Sequence, residues 1–135
     1  MDNEIKISVI IPAYNPGKKI IYCLNALGKN LNYFSKNCKL IYEVLIINDA
    51  GDEINFNFDH GIKNIRAVRI RKNRGVGYVR QLGARISKYN YIFYLDSDVV
   101  LENENSIKIL FEEFKNYKNV GSIGPVQNYK NLNDE

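Results

Sequence analysis

Two carboxylates spaced i, i+2, Asp96 and Asp98, flank Ser97 at the end of the apolar run Tyr91-Ile92-Phe93-Tyr94-Leu95. Acids this close repel one another unless something cationic sits between them. A hard divalent ion with oxygen ligands suits such a pair, and Mg²⁺ or Mn²⁺ also bridges to the phosphates of a ligand. The same residues equally suit a solvated turn or a helix N-cap. Asp49 follows a second apolar run, Val44-Leu45-Ile46-Ile47, and Asn48. Its carboxylate can accept from a nucleobase N–H or a ribose hydroxyl, or it can close an Asx-turn. Tyr14 stands three residues after a first run, Ile7-Ser8-Val9-Ile10-Ile11. It offers a flat face for a base and a hydroxyl, or ordinary packing against the end of a sheet.

Gly75 and Gly77 begin like a dinucleotide fingerprint, but the third glycine position holds Arg80. A G-x-G alone does not make a cofactor loop. Arg80 falls early in a helical pattern, where its guanidinium can clamp a phosphate or simply face solvent. His60 is the only histidine and is read as a surface residue, neither ligand nor base. Cys23 and Cys38 form no CxxC and no disulfide framework. Both are read as structural thiols in a reducing, cytoplasmic setting.

The elements that must position these residues alternate in type. Residues 7–11 form a short β-rich run that stops at Pro12. Ile20, Ile21, Leu24 and Leu27 recur at helical spacing, predicting an amphipathic helix over residues 17–29. Residues 44–47 form a second buried strand, followed by a polar loop over 48–60. A third strand, residues 65–70, contains Arg66 and Arg69 and belongs near an edge. Gly75 and Gly77 open a helix carrying Val79, Leu82 and Ile86, and residues 91–95 form a fourth strand. Ile107, Leu110, Phe111 and Phe114 mark another helix, and residues 120–126 a fifth, Gly-broken strand. Strands alternating with helices predict an α/β fold: a mostly parallel, doubly wound, Rossmann-like sheet with helices on both faces. Ligands bind such sheets outside the carboxyl ends of the strands, where the acids and glycines collect.

Composition agrees with this class. The chain has 135 residues, one domain's worth, and can bury roughly two thirds of its unfolded surface. A hydrophobic fraction of 45% with 25% charged residues is that of a globular protein. The net charge of +4 suits a phosphate-bearing ligand or an anionic membrane surface and does not call for nucleic acid. The run after the polar start is too short for a signal peptide or a membrane span.

Together these segments resemble glycosyltransferase family 2, whose members have a GT-A fold. The resemblance rests on Pro12-Ala13-Tyr14-Asn15 after the first strand and on Tyr42-Glu43-Val44-Leu45-Ile46-Ile47-Asn48-Asp49. It extends to Asn73-x-Gly75 with Arg80-Gln81-Leu82-Gly83-Ala84, and to the DxD region ending in Asp96-Ser97-Asp98. It implies that Pro12 and Tyr14 line a nucleobase pocket and that Asp49 hydrogen-bonds the base. Arg80 would contact ribose or phosphates. Asp96, with Ser97, would lie by the nucleotide, and Asp98 would be the direct ligand of a Mn²⁺ or Mg²⁺ that Asp96 also approaches. The implied donor is a nucleoside-diphosphate sugar, UDP-linked first and GDP-linked second.

The sequence departs from the family pattern in places. Asn48-Asp49-Ala50-Gly51 replaces the usual Asp-Asp-Gly-Ser, Gln81 stands for Asn, and Val99 follows the DxD where Asp is common. Family members usually continue well beyond this length, and that portion carries the acceptor site and, in inverting members, a general base. The expectation is therefore that residues 1–126 are the nucleotide-diphospho-sugar-binding part of a truncated GT-A domain, with 127–135 a loose polar tail. Such a part would bind nucleotide and metal but transfer sugar poorly or not at all. A second copy could cover its open sheet edge, and membrane attachment would come from a downstream segment. Two other readings remain: a non-catalytic nucleotide-binding or assembly module, and a nucleotidyltransferase. The latter lacks its usual Gly-rich basic loop here, because Pro12-Ala13-Tyr14-Asn15-Pro16 stands in its place.

Overall fold

The structure, a computed structural model, describes residues 4–125. Four strands form one sheet: β1 (Glu4–Ala13), β2 (Lys39–Asn48), β3 (Ile65–Arg69) and β4 (Tyr91–Tyr94). Their order is β3-β2-β1-β4 and every pairing is parallel. Three helices complete it: α1 (Lys19–Asn37), α2 (Val76–Ile86) and α3 (Ser106–Asn116). The α/β, doubly wound class read from the sequence is the observed one. No helix among the described residues is long and apolar enough to cross a membrane.

The central strands carry near-continuous apolar runs because both of their faces are covered. Ile7, Val9 and Ile11 of β1 and Val44 and Ile46 of β2 pack on one face with Leu24, Leu27, Leu31 and Phe34 of α1 and Ile107 of α3. Ile10, Leu45 and Ile47 point to the other face and meet Val79, Leu82 and Ile86 of α2. β3 and β4 lie at the edges and are only partly buried. At their amino ends Glu4 to Lys6 pair with Lys39 to Ile41, and Ile5 and Leu40 pack against the core from there.

β1 runs on through Pro12 to Ala13, paired with Ile47 and Asn48, rather than stopping at Pro12, and two further elements differ from expectation. The first helix runs on from Lys29 to Asn37, because Leu27, Leu31 and Phe34 continue the buried stripe past Asn30. Asn30 is a polar side chain on the core side, and it is fully partnered. Its Nδ2 donates to Ala26 O and to Asn103 O, each at 3.0 Å, and its Oδ1 accepts from Ile107 N at 3.1 Å. It thereby caps α3, whose own N-cap residue Asn105 makes no side-chain capping bond. The fifth strand is not formed over its described residues: 120–125 are mostly exposed and pair with no strand. Gly121 and Gly124 add backbone entropy and no side chain to bury there. Val126, the expected domain boundary and the polar tail lie outside the described residues.

A buried acid sets β4 against the sheet. Glu43 Oε1 accepts from Ser8 Oγ at 2.7 Å and from Lys88 N at 2.5 Å, and Tyr89 N donates to Ser8 Oγ at 3.2 Å. The connection from α2 into β4 is thus tied to β1 and β2 immediately before the strand that carries the acid pair. On the same face α2 approaches closely at Gly83, where a Cβ would collide with Ile10 Cγ2. Gly83→Ala is expected to destabilise the fold by about 1–3 kcal/mol through overpacking, read as a lower urea midpoint at unchanged slope.

Candidate functional site

Parallel pairing brings the carboxyl ends of β1, β2 and β4 to one edge. The ladder continues just past them: Asp49 N donates to Ala13 O at 2.9 Å and Leu95 N to Ile10 O at 3.0 Å. A cleft of about 490 Å³ opens there. Its walls include Pro12, Tyr14, Asp49, Arg80, Asp96, Ser97 and Asp98, so all seven residues singled out in the sequence meet in one place. A larger hollow of about 730 Å³ lies at the amino ends of β1 and β4, against Phe111 of α3. Its one carboxylate, Glu4, is held below the usual range by Lys39 at 2.7 Å and Lys6 at 3.3 Å. The chemistry and the topology both favour the carboxyl-end cleft.

Asp49 is buried, and both of its oxygens are engaged by backbone. Oδ1 accepts from Arg74 N at 2.7 Å and Oδ2 from Gly75 N at 2.9 Å, while Asn73 Nδ2 donates to Asp49 O at 3.3 Å. The acid after β2 therefore holds the loop that opens α2, which begins after Gly75 at φ 87°. Neighbouring amides brace the same loop. Asn48 Oδ1 accepts from Gly51 N at 2.9 Å, its Nδ2 donates to Asp52 O at 2.8 Å, and Asn15 Oδ1 accepts from Asp52 N at 2.7 Å. Ala50 takes φ 63°, a left-handed conformation in the position where the resemblance has glycine. Gly51, next to it, is packed so closely that a Cβ would lie 2.7 Å from Asn15 Oδ1.

The acid pair sits on a turn closed by Val99 N donating to Asp96 O at 3.0 Å. Asp96 Oδ1 accepts from Arg80 Nη2 at 2.8 Å, a single-pronged pair whose members are both substantially exposed. Arg80 Nε is buried and has no hydrogen-bond partner among the described residues. Tyr94 Oη donates to Arg80 O at 3.4 Å, which ties α2 to the end of β4. Asp98 is exposed and forms no ion pair or hydrogen bond among the described residues. Beneath the turn, Cys23 Sγ donates to Asp96 O at 3.6 Å. Burial, then the charges of Asp98 and Asp96, push the Cys23 thiol up to about 12.

Asp96 and Asp98 offer carboxylate oxygens, the donor type that hard divalent cations take. Burial is the larger cause of the raised Cys23 thiol, and the charges of Asp98 and Asp96 add to it. Three or more protein ligands do not gather at any point among the described residues.

Sequence reasoning missed Lys19, which lines the cleft from the first turn of α1, and the bracing amides Asn15, Asn48 and Asn73. A basic residue at the start of the helix after β1 was the available signal for Lys19. The amide partners depend on loop shape and carry no spacing signature. His60 is half-buried rather than a surface residue, as its Nδ1 accepts from Ile62 N at 3.0 Å and its ring meets Phe58 edge-on at 5.2 Å.

Among known proteins, the family model described as glycosyl transferase family 2 matches residues 8–135. The chain belongs to glycosyl transferase family 2. It is similar to an uncharacterized glycosyltransferase of Rickettsia bellii, 31% identical over 117 residues, covering 84% of this chain and 16% of that protein. It is also similar to the poly(ribitol-phosphate) beta-N-acetylglucosaminyltransferase TarP of Staphylococcus aureus, 34% identical over 112 residues, covering 78% of this chain and 32% of TarP. The crystal structure of S. aureus TarS 1–349 shares its fold, with TM-score 0.66 at 22% identity over 91% of this chain and 39% of that one. TarS 1–349 has also been solved in complex with UDP-GlcNAc. The chain spans about a third or less of the length of these two curated family relatives.

Three outcomes are expected from the geometry. Ala50→Gly should stabilise the protein by about 1 kcal/mol in thermal denaturation, because glycine adopts the left-handed conformation without a Cβ penalty. Asp49→Ala should cost about 3 kcal/mol in urea denaturation, since it leaves the Arg74 and Gly75 amides without their charged acceptor. Cys23 should resist alkylation in the native protein near neutral pH while the partly exposed Cys38 reacts, as read by mass spectrometry. The Cys23 thiol is raised from 9.0 to about 12 on folding, so its contribution to stability is intact below about pH 9 and falls as the pH climbs towards 12.

Proposed function

We propose that this family 2 chain binds a UDP-linked sugar, with a divalent metal, as the donor side of a glycosyl transfer. The observation that carries the reading is the convergence of Pro12, Tyr14, Asp49, Arg80, Asp96, Ser97 and Asp98 in one cleft at the carboxyl ends of the strands. TarS in complex with UDP-GlcNAc and the N-acetylglucosaminyl transfer in the name of TarP support it, and they make UDP-GlcNAc the first donor to test.

In this reading the chain's residues bind and orient. Tyr14, 57% exposed at the rim, presents a ring on which a base can stack. Asp49 holds the floor of the cleft and keeps spare acceptor capacity for a base N–H, since a carboxylate oxygen accepts more than one hydrogen bond. Arg80 faces Asp96 across 2.8 Å and can exchange that partner for a phosphate oxygen, a charge-assisted contact of the same kind. Lys19 adds a second cation to the wall, and the start of α1 adds the positive end of a helix dipole. Asp98 and Asp96 would hold the metal. A bound Mn²⁺ or Mg²⁺ would offset the charge that builds on the departing diphosphate.

Calorimetric titration of UDP with and without Mn²⁺ tests the proposal, with GDP, CDP and ADP alongside. Metal-dependent binding of UDP is expected, weakened by roughly tenfold or more in Asp98→Ala, a loss at least as large as that for outer-shell partners of a metal. Failure of every nucleotide to bind, or UDP binding indifferent to both Mn²⁺ and Asp98→Ala, would sink it.

A further inference from the structure

Acidic residues are missing from a long internal stretch. Between Asp59 and Asp96 the chain carries nine basic residues and no acidic one, while the rest of it carries ten basic and fifteen acidic residues. The stretch folds into β3, α2, β4 and their connections; Arg69 turns onto the Ala50 and Gly51 carbonyls and Arg80 into the cleft, while Arg66, Arg71, Lys72, Arg74 and Arg85 are exposed. α2 is the helix on its face of the sheet, and α1 and α3 occupy the other.

The basic groups of this side point outward. Arg66 alternates with Ala67 on β3 and shares the α2 side with Val68, which packs against the α2 cluster. On α2, Val79 and Gly83 turn inward, leaving Tyr78, Gln81 and Arg85 as an exposed stripe at i, i+3 and i+7. The Arg74 guanidinium lies 5.4 Å from the centre of the Tyr78 ring and extends that stripe. Arg71 and Lys72 are exposed in the connection between β3 and α2. None of Arg66, Arg71, Lys72 and Arg85 forms a salt bridge among the described residues. The acids these elements meet are Glu43, buried below Lys88, and Asp49 and Asp96 in the cleft. Among the described residues, the basic side chains named here have no acidic partner on the outer surface.

We propose that the α2–β3 face docks on an anionic membrane surface. The charges are spread across a strand, a loop and a helix, which suits a plane of headgroups better than a single threaded polymer. Val76 and Tyr78 stand among them, 52% and 45% exposed, and aromatic and apolar side chains beside basic ones favour a bilayer interface. Each Lys or Arg near an anionic leaflet adds to the attraction, which salt screens. Val76 also lines the cleft, so a docked face would hold the cleft rim at the headgroup layer. This inference does not depend on the nucleotide reading, and nucleotide titration in solution does not test it.

Co-sedimentation of the 135-residue chain with vesicles tests it, using phosphatidylcholine alone and phosphatidylcholine mixed with phosphatidylglycerol. Retention only on the anionic vesicles is expected, falling as salt is raised. Combining Arg66→Gln, Arg71→Gln, Lys72→Gln and Arg85→Gln should lower the partition coefficient by roughly a thousandfold. Combining Arg66→Lys, Arg71→Lys and Arg85→Lys, which keeps the charge, should retain binding, with circular dichroism confirming the fold of both variants. No retention of the wild type on anionic vesicles at low salt would overturn the proposal, as would full retention of the folded glutamine variant. Capture on immobilised inorganic polyphosphate without retention on vesicles would overturn it too, in favour of a soluble polyanion.

Discussion

Ten residues of β1 pair in parallel with ten of β2, and everything else in the molecule depends on that ladder. Both strands are covered on two faces, so a slip of one residue would exchange the packing of Ile10 and Leu45 with that of Val9 and Val44. The register is therefore held by two cores at once. Parallel pairing then requires the chain to cross back over the sheet between strands, so the carboxyl ends lie together. Asp49 leaves β2 level with the end of β1, and Leu95 leaves β4 against Ile10. The cleft is a consequence of strand direction before any residue in it is considered.

Within the cleft the polar groups hold one another. Asp49 spends its carboxylate on the amides of Arg74 and Gly75, and Asn48 and Asn15 brace the loop through residues 50–52. Asn15 and Ala50 both take positive φ in these loops. Strained backbone of this kind persists only where surrounding contacts determine it, and here the contacts are hydrogen bonds at the edge of the sheet, that of Gly51 N to Asn48 Oδ1 buried and the others partly or fully exposed. The result is a floor fixed by backbone and a rim of freer groups, Tyr14, Arg80 and Asp98.

Much of this was legible from the residues. Apolar runs ending in polar or acidic residues marked β1, β2 and β4, and strands alternating with helices implied the parallel sheet. The acid pair, Asp49, Tyr14 and Arg80 could be named because each sits a short, countable distance from a strand end or a helix start. The reading failed where a residue's partner came from far along the chain. The first helix was expected to end at Lys29, but it continues past Asn30, whose amide is satisfied by Asn103 and Ile107, more than seventy positions away. The expected strand over 120–126 had apolar residues, but over 120–125 no neighbour to pair with. The charge segregation over residues 60–95 was present in the sequence and invisible in the net charge, because an average conceals where the signs lie.

By itself the sequence determined the fold class and the identity of the residues at the site edge. Periodicity reports which faces are buried, and the order of strands and helices restricts the topology. Tertiary structure alone decided what those residues do to one another. Asp49 became the anchor of a loop, Arg80 the partner of Asp96, and Asn30 the cap of a helix that begins far downstream. The physical reason is range. Apolar burial is non-directional and follows local pattern, so it can be read along the chain. Hydrogen bonds and ion pairs act over a few ångströms with fixed geometry, so their partners exist only once the chain has folded.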